Sequence, residues 1–150
     1  VSAHDLGPVL FAYDGSDLAK HAIDVAGREL APGRDAVVAT VWRTFNVGFV
    51  PVAEREFDAA ASNEVREAAE ETAAYGASLA EAAGFHAQSM AVNEAPAWKG
   101  IAQAANERDA SLIVLGSHGK SGLAGMFVGS VAGAVAGHAP RSVLIVHKRA

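Results

Sequence analysis

The chain has 150 residues, of which 51% are apolar and 19% charged, with a formal net charge of −5 and no cysteine. These values describe one globular domain over 1–150 that buries roughly 70% of the surface its unfolded chain would expose, and they exclude disorder. Disulfides, zinc–thiolate centres and thiol nucleophiles are ruled out, and an acidic chain with no basic stripe is a poor ligand for nucleic acid or anionic membranes.

Val9-Leu10-Phe11-Ala12-Tyr13 is a short, nearly continuous apolar run, the pattern of a strand buried on both faces. Asp14-Gly15-Ser16-Asp17 closes it, and Leu18–Leu30 follows as a helix with Ser16 or Asp17 as its N-cap. Pro32-Gly33 ends that helix, and Ala36–Trp42, rich in β-branched residues, is the second strand. The connection from Arg43 to Arg55 carries Phe45, Val47, Phe49, Val50 and Pro51, and these side chains are expected to tuck against the domain or to form a lid or partner contact.

A long Ala/Glu helix is expected from Glu56 to Ala83, with Val65, Ala69, Thr72, Gly76, Leu79 and Ala83 on one face at helical period. Phe85–Val92 reads as a third strand, and Pro96 opens a helix whose buried side holds Trp98, Ile101 and Ala105. Leu112–Leu115 is the fourth strand, Val128–His138 a helix, and Ser142–Val146 the fifth strand. The alternation is that of an α/β three-layer sandwich on a parallel sheet with right-handed crossovers. Leu123–Gly137, about fifteen residues and glycine-rich, is short of the ~20 that span a bilayer. No basic, apolar, small-residue leader pattern opens the chain, so the expected compartment is the cytoplasm.

In such sheets ligands bind beyond the carboxyl ends of the strands, where the strand order reverses. Two polar loops occupy strand ends of that kind: Asp14-Gly15-Ser16 after the first strand and Gly116–Ser130, GSHGKSGLAGMFVGS, after the fourth. The second contains Gly119-Lys120-Ser121, the tail of a P-loop, but the glycine that motif requires five residues earlier is Val114, inside a strand. A Rossmann G-x-G-x-x-G is absent as well. What remains is Gly116-x-x-Gly119, nine residues, and Gly129-Ser130 at a helix start. Glycines there allow a sharp turn and close approach of a ligand, and the free amides and dipole of a helix N-terminus attract an anion. The competing explanation is close packing, which is also the expected role of Gly133 and Gly137 farther along the helix. Lys120 is a candidate phosphate helper, and Ser117, Ser121 and Ser130 have no evident His/Asp relay.

With Gly116-Ser117-His118-Gly119, nine residues and Gly129-Ser130, the chain resembles the universal stress protein family, whose ATP-binding signature is G-x2-G-x9-G-[ST]. The likeness extends to the Asp14-Gly15-Ser16 turn, the Ser111–Gly116 approach and the His138-Ala139-Pro140-x-Ser142-Val143-Leu144 ending. Ser111 stands where many members have Asp, and Arg141 where a smaller residue is common. The resemblance implies an adenine-nucleotide-hydrolase-like sheet ordered 3-2-1-4-5 and the ATP-binding branch of the family. It implies that Gly116 and Gly119 line the ribose and phosphates, with Ser117 beside them, and that Gly129, Ser130 and Val131 donate to the phosphates. Asp14 would meet the nucleoside or an accompanying Mg²⁺ or Mn²⁺, and the backbone at Val41 the adenine. It further implies a homodimer through Val143–Val146, an apolar edge strand. The function expected is an ATP-binding stress-response module with slow or no hydrolysis. The alternatives are a metal-dependent ATPase centred on Asp14 and an AMP or cyclic-AMP sensor.

Overall fold

The structure is a computed structural model that describes residues 6–43, 52–119 and 128–148, with the backbone alone for 52–60. Strands β1 (Val9–Ala12), β2 (Asp35–Trp42), β3 (His86–Asn93), β4 (Leu112–Gly116) and β5 (Ser142–Val146) form one parallel sheet in the order β3-β2-β1-β4-β5. The central positions go to the most continuously apolar strands: Val9, Leu10, Ile113 and Val114 are fully buried, whereas β3 and β5 at the edges are largely half-exposed. A strand in the middle of a layered sheet has both faces covered and cannot carry an alternating pattern.

Helices α1 (Asp17–Glu29), α2 (Val52–Ala82), α3 (Ala97–Glu107) and α4 (Ser130–His138) cover the two faces. Strand residues two apart share a face, so Val9, Phe11 and Tyr13 pack with Ile23 of α1, Val38 and Phe85. Leu10 packs on the other side with Ile101 of α3, Ile113 and Val135 of α4. Phe11 and Phe85 meet edge to face at 5.2 Å between ring centroids, a favoured aromatic geometry. α1 starts where Ser16 Oγ accepts from the Ala19 amide at 3.2 Å, which selects Ser16 over Asp17 as the N-cap.

The expected elements are all present, with shifted ends and one shifted face. α2 begins at Val52 rather than Glu56, so the helix takes in the end of the expected connection; Phe45, Val47, Phe49, Val50 and Pro51 lie outside the described residues. Its most buried described positions are Ala69, Ala73, Gly76 and Ala80, with Thr72, Leu79 and Ala83 half-buried beside them. Small residues bring the helix axis close to the sheet: a Cβ on Gly76 would lie 2.6 Å from the Tyr13 ring. α4 begins at Ser130, because Val128 and Gly129 precede the first turn and Gly129 is extended (φ −74°, ψ 170°) as its N-cap. Gly133 and Gly137 do not serve packing as expected. Both are exposed, among the described residues nothing lies within 4 Å of a Cβ built on Gly137, and the face of α4 that meets the core is Ala132 and Val135.

At the amino ends of the strands, Arg34 is buried and Nη2 donates to the Gly7 carbonyl at 2.9 Å and to Ser111 Oγ at 2.6 Å. Ser111 Oγ donates in turn to the same carbonyl at 2.9 Å. The serine that departs from the family pattern thus joins three segments through one guanidinium.

Tyr13 is 3% exposed and its hydroxyl has no hydrogen-bond partner among the described residues. Burial foremost, then Tyr75 and Asp14, raises its pKa above the ordinary tyrosine value of 10.0. The unfolded chain therefore ionises first as pH rises. Stability from this group is intact below about pH 10 and is lost as pH climbs through the folded-state value. Tyr13→Phe is expected to remove that alkaline slope, read by denaturant melts at a series of pH values. At neutral pH the variant should be as stable as the parent or about 1 kcal/mol more stable, since an unbonded buried hydroxyl is a net cost.

Candidate functional site

Because β1 and β4 are neighbours, paired through Val9↔Leu112, Leu10↔Ile113 and Phe11↔Val114, the loops that follow them emerge side by side. Between them opens a cavity of about 600 Å³, within the range of small-molecule sites. Its wall includes Asp14 from the β1–α1 turn, Val41 from β2, Gly116, Ser117 and Gly119 from β4 and its exit, and Gly129, Ser130 and Val131 from the start of α4. Every residue the sequence singled out for the site thus stands in one wall, apart from Lys120, which lies outside the described residues.

Besides Tyr13, Leu115 and His118, the rest of the wall is small and apolar or β-branched. Ala12 and Ala39 come from the strands, Ala97 and Ile101 from α3, and Ala132 from α4. Sequence reading misses these because alanine and isoleucine at such spacings are indistinguishable from ordinary core. They give the cavity an apolar end toward β2 and α3, and the glycine loop and helix start give it a polar one.

The polar end is held by the backbone. Ser117 is buried; its N–H donates to the Val146 carbonyl on β5 at 2.8 Å, and its carbonyl accepts from the Gly129 amide at 2.6 Å. The family resemblance makes Gly129 a donor to a ligand, but here its amide is engaged in closing the loop. The first-turn amides of Ser130 and Val131 have no acceptor within the helix, as at any helix start, and these are the donors open to an anion. Gly129 is a glycine for a steric reason: a Cβ there would lie 3.0 Å from the Ser117 carbonyl oxygen and 3.2 Å from His118 Nδ1.

Asp14 serves the local turn and the cavity together. Its Oδ1 accepts from the Ser16 amide at 2.9 Å, an Asx turn that sets up the start of α1. Its Oδ2 lies 2.7 Å from where a Cβ on Gly119 would stand, so the aspartate and the glycine loop are in direct apposition. Thr40 Oγ1 donates to the Tyr13 carbonyl at 2.8 Å and the Tyr13 amide to the Ala39 carbonyl at 2.9 Å, which fix the backbone leading into that turn. Among the described residues of the wall Asp14 is the one carboxylate, and none of them is Lys or Arg.

A doubly wound parallel sheet with a cleft at its switch point, floored by a helix N-terminus and a glycine loop, is an α/β domain whose cleft lies where such folds take small ligands. The universal stress protein family model matches residues 6–147, and the chain belongs to that family. It is 36% identical over 148 residues to universal stress protein YxiE of Bacillus subtilis, covering 92% of this chain and 97% of the relative. The fold is shared with universal stress protein UspA from Lactobacillus plantarum, at TM-score 0.73 and 19% identity over 93% of this chain and 97% of that one. It is also similar to a universal stress protein solved in complex with cAMP, at TM-score 0.65 and 29% identity over 95% of this chain and 98% of that one.

The apposition of Asp14 and Gly119 is open to test. Gly119→Ala places a methyl against the carboxylate, and the Asp14 side chain must shift to make room. The substitution is expected to destabilise the protein by about 1 kcal/mol in urea denaturation. In the Asp14→Ala background the added cost of Gly119→Ala should nearly vanish, giving a non-zero interaction energy in the double-mutant cycle. Strict additivity would show that the two residues do not meet.

Proposed function

We propose that this universal stress protein is an ATP-binding module in which a conformational or partner-directed response follows nucleotide occupancy. The observation that carries the reading is the polar end of the cavity: a glycine loop, closed by Ser117, sets the open amides of Ser130 and Val131 at the mouth of α4. Those donors suit phosphate oxygens. The apolar end, with Ala39, Val41 and Ile101, suits a flat base.

Charge decides how a triphosphate would be held. The protein is net negative and Asp14 faces the cavity, so the field opposes a polyanion. Among the described residues no group of three or more His, Cys, Asp or Glu is placed to hold a metal ion. One carboxylate fits a Mg²⁺ or Mn²⁺ that arrives on the nucleotide, since such ions are commonly shared between one or two carboxylates and substrate phosphates. When bound, the ion would neutralise phosphate charge, with Asp14 as its protein ligand. With the same carboxylate engaged by Ser16, no second carboxylate in the described wall stands ready as a base for water, which favours slow or absent turnover over a true ATPase.

Cyclic AMP is the second ligand to weigh, because the structure 29% identical to this chain was solved with it. A thermal-shift series with Mg-ATP, AMP and cAMP separates the readings. A ligand at 100 times its dissociation constant adds about 2.7 kcal/mol of stability. We expect the largest shift with Mg-ATP and its loss in Gly129→Val, whose side chain would crowd the Ser117 carbonyl. Equal shifts with AMP or cAMP would assign the protein to nucleotide sensing without a triphosphate cradle, and an Mg-ATP shift unchanged in Gly129→Val would overturn the placement of the phosphates.

The same reading includes a homodimer through β5. This strand is paired on one side only, carries no charge from Val143 to Val146, and leaves Val143, Leu144 and Ile145 half-exposed. An uncharged edge is a template for a second copy. Sedimentation analysis is expected to give twice the chain mass for the parent and the chain mass for Leu144→Lys; a monomeric parent would remove the dimer from the reading.

A further inference from the structure

Gly100 is the fourth residue of α3, set between Ala97 and Ile101, which both line the cavity. A glycine inside a helix is disfavoured against alanine, so such a position calls for a steric reason. Gly100 is buried, and a Cβ there would lie 2.8 Å from Val41 Cγ1, 3.0 Å from Val41 Cγ2 and 3.2 Å from Glu94 Cβ. Val41 is itself a residue of the wall, held in β2 opposite Val92 of β3. Farther along the same helix, Ala104 and Ala105 are buried with their Cβ atoms in place. At the cavity end, then, α3 approaches β2 too closely for any side chain at position 100.

Rotation of Val41 cannot relieve that contact. Valine places its two methyls in two of three staggered positions, and both positions now filled lie against Gly100. Every rotamer would leave at least one methyl against a Cβ at position 100. A side chain there is therefore accommodated by α3 drawing back from β2, and Ala97 and Ile101 move with the helix.

We propose that Gly100 is a positioning residue for the base of a bound nucleotide. It stands behind the wall rather than in it, and it sets the gap between Ala39 and Val41 on β2 and Ala97 and Ile101 on α3. Through that gap it sets the preference of the pocket for a purine over a smaller ring. This rests on the nucleotide reading above, which puts the base at the apolar end, and adds to it what determines the fit. A separation of about 0.5–1 Å forfeits roughly a quarter to a half of the attraction between two surfaces in contact. The larger ring makes more such contacts and loses more when the walls part.

The test is titration calorimetry with Mg-ATP and Mg-CTP, which share the triphosphate and differ in the base. It is run on the full chain and on its Gly100→Ala, Val41→Ala and doubly substituted variants. We expect the parent to prefer Mg-ATP, and Gly100→Ala to weaken Mg-ATP by about three- to tenfold and Mg-CTP by less. The preference between the two nucleotides should shrink accordingly. In the Val41→Ala background, which lacks both contested methyls, Gly100→Ala should leave Mg-ATP binding nearly unchanged. That pair of variants carries the test alone if Gly100→Ala by itself does not fold. Equal weakening of the two nucleotides would make Gly100 a matter of helix packing only and overturn the proposal. So would unchanged Mg-ATP binding, a parent without preference, or a loss that persists in the Val41→Ala background. If the parent binds neither nucleotide, the nucleotide reading itself fails and this proposal falls with it.

Discussion

The cavity depends on one residue's backbone. Ser117 leaves β4 with its N–H bonded to Val146 at the end of β5 and its carbonyl bonded to Gly129 at the threshold of α4. Two main-chain bonds therefore tie three segments of the chain together, and they do so in a buried position where an unmade bond would cost about 1–3 kcal/mol. The loop mouth is not free to wander, because any displacement of Gly129 must break the bond to Ser117 before it can move the first turn of α4. The adjacency of β1 and β4 then sets Asp14 opposite this clasp. Sheet order decides which loops meet, and Ser117 decides how far apart they stand.

The glycines that look alike in the sequence divide by physical role. Gly119 and Gly129 each have an obstacle where a Cβ would be, a carboxylate in one case and a carbonyl in the other. Among the described residues nothing lies within 4 Å of a Cβ on Gly137, and a Cβ on Gly133 would meet Val128 at an ordinary 3.8 Å. Phosphate binding and close packing are rival explanations of the glycine spacing, but in the loop a steric requirement exists whichever holds. Gly129 must lack a side chain for the loop to close, and closure is what leaves Ser130 and Val131 at the cavity with amides unengaged by the helix. Gly133 and Gly137 have no such demand upon them, and the structure gives no account of their presence.

Legibility in the sequence follows the strength of the local signal. The apolar runs Val9–Tyr13 and Leu112–Leu115 announce the two central strands because burial on both faces leaves little room for polar residues. The glycine loop and the Asp14 turn are visible because special backbone geometry demands special residues. The strand order β3-β2-β1-β4-β5 is a long-range outcome that no window of residues encodes, and only the family resemblance supplies it in advance. The alanine-lined end of the cavity is illegible for a different reason. Ala12, Ala39, Ala97 and Ala132 have no chemistry of their own, and they matter only through what their small size leaves empty. The Gly129 amide escapes sequence reading because a helix start implies free donors until a neighbouring carbonyl is seen to claim one.

Asp14 shows why such a site is built from backbone donors and one or two side chains. A carboxylate opposite an anion-binding helix mouth works against phosphate binding when it acts alone. It also serves the fold, since its Oδ1 holds the Ser16 amide and through it the entry into α1. Amides avoid that conflict: they carry no net charge, they point in fixed directions, and they remain available however Asp14 is occupied. The described wall is thus shaped chiefly by main-chain geometry, with Asp14 as its one carboxylate.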